Sequence, residues 1–100
     1  MIEEIKKEST TVLLLLIIGK NKLTDRELQN LVHGFKEASG CKIFSEFDFR
    51  KTYYGYYSSQ LEEMVNTEIA VGFVKRDERN RLMLTEDGKV ILAKLGVDIE

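Results

Sequence analysis

The sequence predicts one α+β domain, mostly α, spanning residues 1–100. Twice, a Thr or Ser precedes a Glu by three residues and opens an apolar stripe of helical spacing. An unbroken apolar run, residues 12–18, suits a buried helix. Near the C-terminus two short apolar runs flank the charged stretch KRDERNR, residues 75–81, which predicts a two-stranded β-hairpin.

The composition is that of an ordinary globular domain, with 43% hydrophobic and 32% charged residues. The net charge is −2, so a nucleic-acid site would have to rest on local clustering of cations. One cysteine and one histidine, Cys41 and His33, allow no intramolecular disulfide and supply a metal site poorly. No nucleophile with its base is evident. We therefore expect no enzyme activity, cofactor or metal.

The apolar run is too short for a membrane span. It covers seven residues, whereas a span needs about 20. Glu3, Glu4 and Glu8 offset the lysines that precede it, and no small-residue cleavage site follows, which argues against a signal peptide. We expect a cytoplasmic protein.

The first helix is predicted over residues 9–18, with Ser9, Thr10 or Thr11 as its cap and Gly19 as its stop. Its leucines favour helix over strand. A helix that is apolar on every side is either enclosed by its own chain or covered by a second copy.

The second helix starts with a capping box formed by Thr24 and Glu27. Gly40 ends it. Its apolar stripe comprises Leu28, Leu31, Val32 and Phe35.

Residues 41–57 predict an extended, partly buried segment, irregular or a short strand, with Phe44, Phe47 and Phe49 inward. Cys41 is expected to be a buried small hydrophobe. Ser59 and Glu62 form a second capping box that opens a helix through Ala70. That helix has an apolar face of Leu61, Met64, Val65 and Ile69.

The C-terminal third predicts the hairpin and a last helix. Gly72 stops the preceding helix, the strands begin at Phe73-Val74 and at Leu82, and Thr85 caps the last helix. Gly96 closes it. Its buried side comprises Ile91, Leu92 and Leu95.

This order of elements is that of a winged helix-turn-helix domain with a two-stranded hairpin wing and an additional C-terminal helix. The stretch GFVKRDERNRLMLTEDGKVIL resembles the C-terminal half of many prokaryotic winged-helix regulators, through Gly72, Phe73, Val74, Leu84, Thr85 and Gly88. We expect Gly88 to permit close approach of the last helix to its neighbour.

A second resemblance covers LTDRELQNLVHGF and FDFRKTYYGYYSSQLEEMV, which are similar to Panacea-type domains, a family that includes antitoxin-like proteins. The matching residues are Gln29, Leu31, Tyr54, Gly55, Tyr57, Ser58 and Leu61. The chain departs from that pattern at Tyr56, where proline is usual, and at Asn30, where lysine is common. The resemblance implies a winged-helix-like scaffold used for regulation or protein binding.

The first functional hypothesis is a transcriptional regulator that binds double-stranded DNA. The helix from Ser59 would enter the major groove, and the 75–81 hairpin would lie on the phosphate backbone. Gln60, Asn66 and Thr67 can read base edges. The expected backbone contacts are Lys51, Tyr56, Ser58, Lys75, Arg76, Arg79 and Arg81.

Two observations oppose DNA binding. Glu62, Glu63 and Glu68 would repel phosphates, although a capping role would occupy Glu62. The hairpin could be a solvated turn in which Asp77 and Glu78 pair with their own arginines.

The second hypothesis is an antitoxin-like interaction module, in which the tyrosines of residues 53–57 and the acidic helix meet a protein partner. Half of these tyrosines are expected in the core. His33 is expected at a boundary position. Under the first hypothesis the chain forms a homodimer through its N-terminal and C-terminal helices, which doubles the number of phosphate contacts.

Overall fold

A computed structural model describes the backbone of residues 2–95 and the side chains of residues 10–95. This part of the chain is a small α+β domain of four helices and five short strands. The elements are α1 (Ile2–Lys20), β1 (Leu23–Thr24), α2 (Asp25–Ala38), β2 (Arg50–Thr52), β3 (Gly55–Tyr57), α3 (Ser59–Ala70), β4 (Val74–Arg76), β5 (Arg81–Leu84) and α4 (Glu86–Lys94). One antiparallel sheet has the order β1-β5-β4, and β2 pairs with β3 in a separate hairpin.

One apolar core joins the four helices to the three-stranded sheet and to the loop after α2. The helices contribute Leu14, Leu15, Ile18, Leu28, Val32, Leu61, Val65 and Leu92. The sheet and the loop contribute Val74, Leu82, Leu84, Phe44 and Phe47.

Helix α1 is longer than predicted at both ends. Ser9, Thr10 and Thr11, expected as caps, lie inside the helix, and Gly19 does not stop it. Residues 2–8 include glutamates, lysines and isoleucines but no helix breaker, so the helix continues through them. At the other end, the Asn21 side-chain amide donates to the Ile17 carbonyl at 2.8 Å and satisfies one of the last backbone acceptors.

Helix α2 begins as predicted, with the Thr24–Glu27 capping box present in both directions. Past its end, Gly40 and Cys41 have φ values of +67° and +65°, and the chain turns away. The expectation of a buried Cys41 was wrong, because this turn lies at the surface and Cys41 is exposed. Phe35, at the edge of the predicted apolar stripe, is 43% exposed.

A second hairpin, β2–β3, occupies residues that were expected to be irregular or a single strand. Tyr53 and Tyr54 form its tip, and the Thr52 hydroxyl donates to the Gly55 carbonyl at 2.7 Å. Gly55 has φ +119°, and a Cβ there would collide with the Asn30 side chain. The side-chain oxygen Oδ1 of Asn30 accepts the Tyr56 N–H at 3.0 Å, which fastens the hairpin to α2. Glycine is therefore required at position 55.

Helix α3 is capped by Ser58, one residue before the predicted cap. The Ser58 hydroxyl accepts the Leu61 N–H at 3.3 Å, so Ser59 and Glu62 do not form the expected capping box. Ser58 is fully buried, and Gln29 on α2 holds its backbone from both sides. The Ser58 N–H donates to Gln29 Oε1 at 2.8 Å, and Gln29 Nε2 donates to the Ser58 carbonyl at 3.0 Å.

Strands β4 and β5 form the predicted charged hairpin, and Thr85 caps α4 as expected. Gly88 is buried, and a Cβ at this position would strike the Phe73 carbonyl oxygen, so the predicted close approach is confirmed. Strand β1, missed from the sequence, adds to β5 by pairing Leu23 with Leu82. The predicted stop at Gly96 lies outside the described residues. Within them, no helix combines the length and apolar character needed to cross a bilayer.

The Gln29 side chain is expected to stabilise the fold through the buried Ser58 N–H. Gln29→Met keeps most of the volume but removes that acceptor, whereas the Ser58 carbonyl retains the Glu62 N–H. One orphaned buried donor costs about 1–3 kcal/mol. Urea unfolding of Gln29→Met should show a loss of this size with an unchanged m-value. Stability within experimental error of the wild type would contradict this role.

Candidate nucleic-acid interface

The tip of the β4–β5 hairpin is organised by one carboxylate. Asp77 Oδ1 accepts the N–H groups of Arg79 and Arg81 at 2.8 and 2.9 Å, and Asp77 Oδ2 accepts Arg81 Nε at 2.9 Å. Hydrogen bonding from the Arg81 backbone, supported by the Arg79 N–H and the Arg81 guanidinium, lowers the pKa of Asp77. The pairing of Asp77 with an arginine of its own hairpin is thus present. Arg81, expected as a phosphate contact, donates hydrogen bonds to Asp77 within the turn.

The other cations of the hairpin differ in what they contact. Arg76 Nη2 reaches Asp25 Oδ2, at the start of α2, at 2.7 Å. Lys75 and Arg79 are exposed and take part in none of the ion pairs formed among residues 10–95. These two side chains are therefore the hairpin cations best placed to meet an external anion.

Two of the polar residues predicted at the start of α3 are engaged within the protein. Ser58, expected to contact DNA, is fully buried as the helix cap, so that expectation was wrong. Gln60 is exposed, but its Oε1 accepts the Ser58 hydroxyl at 2.9 Å and the Asp48 N–H at 3.3 Å. These contacts compete with base reading by Gln60.

Asn66 and Thr67, farther along α3, are both exposed. The Thr67 hydroxyl donates to the Glu63 carbonyl at 2.9 Å, which leaves its acceptor side open. Asn66 lines a cavity together with residues at the start of α2. Of the three residues predicted to read base edges, Asn66 and Thr67 keep polar groups free for such contacts.

Fewer carboxylates face outward from α3 than the sequence suggested. Glu62 and Glu63 are exposed, but Glu68 is 94% buried and lies off that face. Burial raises the pKa of Glu68. Glu62 is not used in a capping box, and its interaction with Tyr57 raises the pKa of that phenol, with desolvation adding to the shift. Two exposed carboxylates remain on α3 to oppose phosphate binding.

The tyrosines are distributed differently from the expectation that half would be in the core, because none of the four is buried. Tyr53 and Tyr54 are 93% and 64% exposed at the tip of the β2–β3 hairpin. Tyr56 stacks on the half-buried ring of His33, with centroids 3.6 Å apart. Lys51 faces solvent on β2, in register with Tyr56 on β3.

Two arginines that sequence reasoning missed lie on the same side of the molecule. The Arg26 guanidinium lies 4.3 Å from the centre of the Tyr54 ring, and that of Arg50 lies 5.6 Å from the centre of the Tyr57 ring. Arg26 follows a strong N-cap, so its place in the first turn of α2 was a usable signal. The position of Arg50 depends on the β2–β3 hairpin, which could not be predicted from the sequence.

Two adjoining cavities define a continuous surface, here called the α2–α3–hairpin surface, which comprises Asn66, Arg50, Asp25, Arg26, Arg76 and Asn80. One cavity connects Asn66 and Arg50 with Asp25 and Arg26, and an adjoining one connects Asp25 and Arg26 with Arg76 and Asn80. Asp25 and Arg26 belong to both cavities. The surface thus runs from α3 across the start of α2 to the tip of the β4–β5 hairpin.

Glu68→Gln should alter how stability depends on pH. In the folded state the pKa of the Glu68 carboxyl lies above the reference value of 4.5. The stability of the fold therefore falls as the pH rises from the unfolded-state pKa of this group through its folded-state pKa. Removing the charge should raise the melting temperature at neutral pH, and the difference should vanish below the unfolded-state pKa. Glu63→Gln, on the outside of α3, is the control for loss of one carboxylate. A Glu68→Gln curve parallel to the wild type would contradict this.

Comparison with known proteins does not assign the chain to a family. No protein-family model matches it, and neither a curated protein nor a solved structure does. The resemblances to winged-helix regulators and Panacea-type domains therefore rest on the residues quoted for them. Several of those residues stabilise the fold of this chain: Gln29 accepts the Ser58 N–H, and Gly55 packs against the Asn30 side chain.

Proposed function

We propose that this chain is a cytoplasmic winged-helix protein that binds double-stranded DNA and regulates transcription. Helix α3 enters the major groove, and the β4–β5 hairpin, residues 75–81, lies along the phosphate backbone. The sheet order β1-β5-β4, with α2 and α3 preceding the hairpin, supports the winged-helix assignment.

The observation that carries the proposal is the ion pair between Arg76 and Asp25, at 2.7 Å. It joins the charged hairpin to the start of α2, so that the hairpin belongs to the α2–α3–hairpin surface instead of standing apart in solvent. An extended phosphate backbone needs cations that are spread along one surface. Arg76 lies at one end of this surface, and Arg26 and Arg50 lie near α3. Lys75 and Arg79 are exposed on the hairpin that Arg76 holds.

The residues have distinct proposed roles. Asn66 and Thr67 contact base edges, and Gln60 does so if it gives up its contacts with Ser58 and Asp48. Lys51, Lys75 and Arg79 neutralise phosphates, joined by Arg26 and Arg50. Arg76 contributes charge while it holds the hairpin to α2. The Tyr56 hydroxyl, on the exposed side of β3, is a further donor to phosphate.

A homodimer would double these contacts, and two exposed apolar patches support it. Leu13, Leu16 and Ile17 of α1 line a groove of about 310 Å³ with Phe35 and Ile43. Val90 on α4 and Leu95, which caps its end, are 47% and 58% exposed. We propose that α1 and α4 of two copies cover these side chains, because exposed apolar patches commonly mark interfaces.

The second candidate is a protein-interaction module without DNA binding, as the Panacea resemblance implies. The specific observation is the segment between α2 and α3. Residues 39–58 separate the two helices, whereas a DNA-binding helix-turn-helix uses a turn of about 3–4 residues. The β2–β3 hairpin in this segment exposes Tyr53 and Tyr54 side by side, with ring centres 5.1 Å apart. Exposed tyrosines are frequent anchors of protein interfaces.

Binding of mixed-sequence duplex DNA over a salt series tests the first candidate. The affinity should fall with salt, with a log–log slope of about −0.9 for each phosphate neutralised. The double substitution Lys75→Gln/Arg79→Gln should weaken binding about equally for all sequences and flatten the slope by about 2. Fluorescence anisotropy of a labelled duplex provides the measurement.

Lys89→Gln/Lys94→Gln, on α4, is the matched control because it removes the same charge outside the proposed surface. Its slope should stay near that of the wild type. No duplex binding at low salt would overturn the DNA-binding proposal and favour the tyrosine hairpin as the functional surface. Equal effects of the two double substitutions would show that only the overall charge matters.

Sedimentation equilibrium tests the dimer. The chain should sediment at twice its monomer mass, and Leu16→Gln should shift it toward the monomer by placing a polar group in the covered groove. Val71→Gln, at an exposed apolar position beyond α3, is the control and should leave the dimer intact. A wild-type chain that is monomeric at high concentration would contradict the proposed interface.

A further inference from the structure

A concave, largely apolar site lies between α2, the β2–β3 hairpin and α3. Its volume is about 420 Å³, within the range of about 300–1,000 Å³ found for small-molecule sites. Leu28, Leu61 and Val65 lie beneath it and belong to the buried core, so its floor is held in place by core packing. The chain thus builds a preformed cleft on the surface already described.

The rim of this cleft carries two arginines that are oriented by tyrosines. Arg26 lies over Tyr54 at 4.3 Å, and Arg50 lies over Tyr57 at 5.6 Å. Stacking on a ring restricts a guanidinium group without using its hydrogen-bond donors. Neither arginine takes part in the ion pairs found among residues 10–95.

One of the two carboxylates of the same lining is engaged elsewhere, because Asp25 binds Arg76 at 2.7 Å. The other, Glu62, is exposed. Two guanidinium groups with free donors therefore outnumber the one carboxylate of the lining that has no ion-pair partner among residues 10–95.

We propose that this cleft binds a small organic anion that combines a planar apolar body with one carboxylate. The apolar body packs between Tyr54 and Tyr57, above Leu28, Leu61 and Val65. The carboxylate accepts hydrogen bonds from Arg26 or Arg50, whose forked donors match its two oxygens. This binding does not require that the chain bind DNA, although Arg26 and Arg50 have a role in both proposals.

The test uses indole-3-propionate and its amide as matched probes in a ¹H–¹⁵N chemical-shift titration of the full chain. The acid should shift the amides of Leu28, Leu61 and Val65 and should saturate. The amide has the same ring but no charge, and it should bind about tenfold more weakly or worse, because a hydrogen bond to a charged group contributes about 1.5–3 kcal/mol.

Substitutions locate the anion. Arg26→Gln/Arg50→Gln should remove the preference for the acid over the amide, whereas Lys75→Gln/Arg79→Gln, with the same charge change on the hairpin, should keep it. The spectra of the unliganded variants show directly whether each remains folded. The comparison of acid with amide on the wild-type chain stands even if a variant does not fold.

Three outcomes would overturn the proposal. The first is an absence of saturable shifts at millimolar probe. The second is equal binding of acid and amide. The third is much tighter binding of an N-acetylated tripeptide that ends in phenylalanine with a free carboxylate, which would assign the cleft to the C-terminus of a protein partner. A failure of duplex DNA to bind, in contrast, would leave these titrations unaffected.

Discussion

The pair of hydrogen bonds between the Gln29 side chain and the Ser58 backbone is the contact on which the proposed functional surface depends. It is buried, it joins α2 directly to the residue that caps α3, and it bridges a loop of nearly thirty residues. Asn30, the next residue on α2, holds the β2–β3 hairpin through the Tyr56 N–H. Two adjacent amide side chains thus fix both the start of α3 and the hairpin that precedes it. A buried polar contact of this kind is specific, because a displaced partner leaves a donor unsatisfied.

Local arrangement, and not net charge, decides what the surface can attract. The chain has a formal charge of −2, yet two of its carboxylates at this surface are used to orient arginines: Asp77 holds Arg81, and Asp25 holds Arg76. The charged stretch of residues 75–81 is therefore neither a free cationic tip nor an inert turn. Asp77 organises the turn, and Lys75 and Arg79 remain for an external anion. The exposed carboxylates of Glu62 and Glu63 repel phosphate, and they limit how closely α3 can approach it.

The helices and the charged hairpin could be predicted from the sequence because their signals are local. The Thr24–Glu27 box, the Thr85 cap and the Phe73-Val74 and Leu82–Leu84 runs each depend on neighbours within a few residues. The β2–β3 hairpin could not be predicted, because it is held by Asn30 and by the shape of Gly55, far apart in sequence. The same holds for the cap: Ser58 and Ser59 are equivalent locally, and contact with Gln29 decides between them. Among the expected site residues, Ser58 is buried in this contact. Arg26 and Arg50 were not expected, and the structure places both against tyrosine rings.

The most direct test of which surface meets a partner is a ¹H–¹⁵N chemical-shift map of the chain with and without a mixed-sequence duplex at low salt. If α3 and the β4–β5 hairpin face DNA, the largest changes will fall on Asn66, Thr67, Lys75 and Arg79, with smaller ones at Arg26 and Arg50. Changes confined to Tyr53 and Tyr54, or a spectrum unchanged by DNA, would contradict the proposed mode of binding.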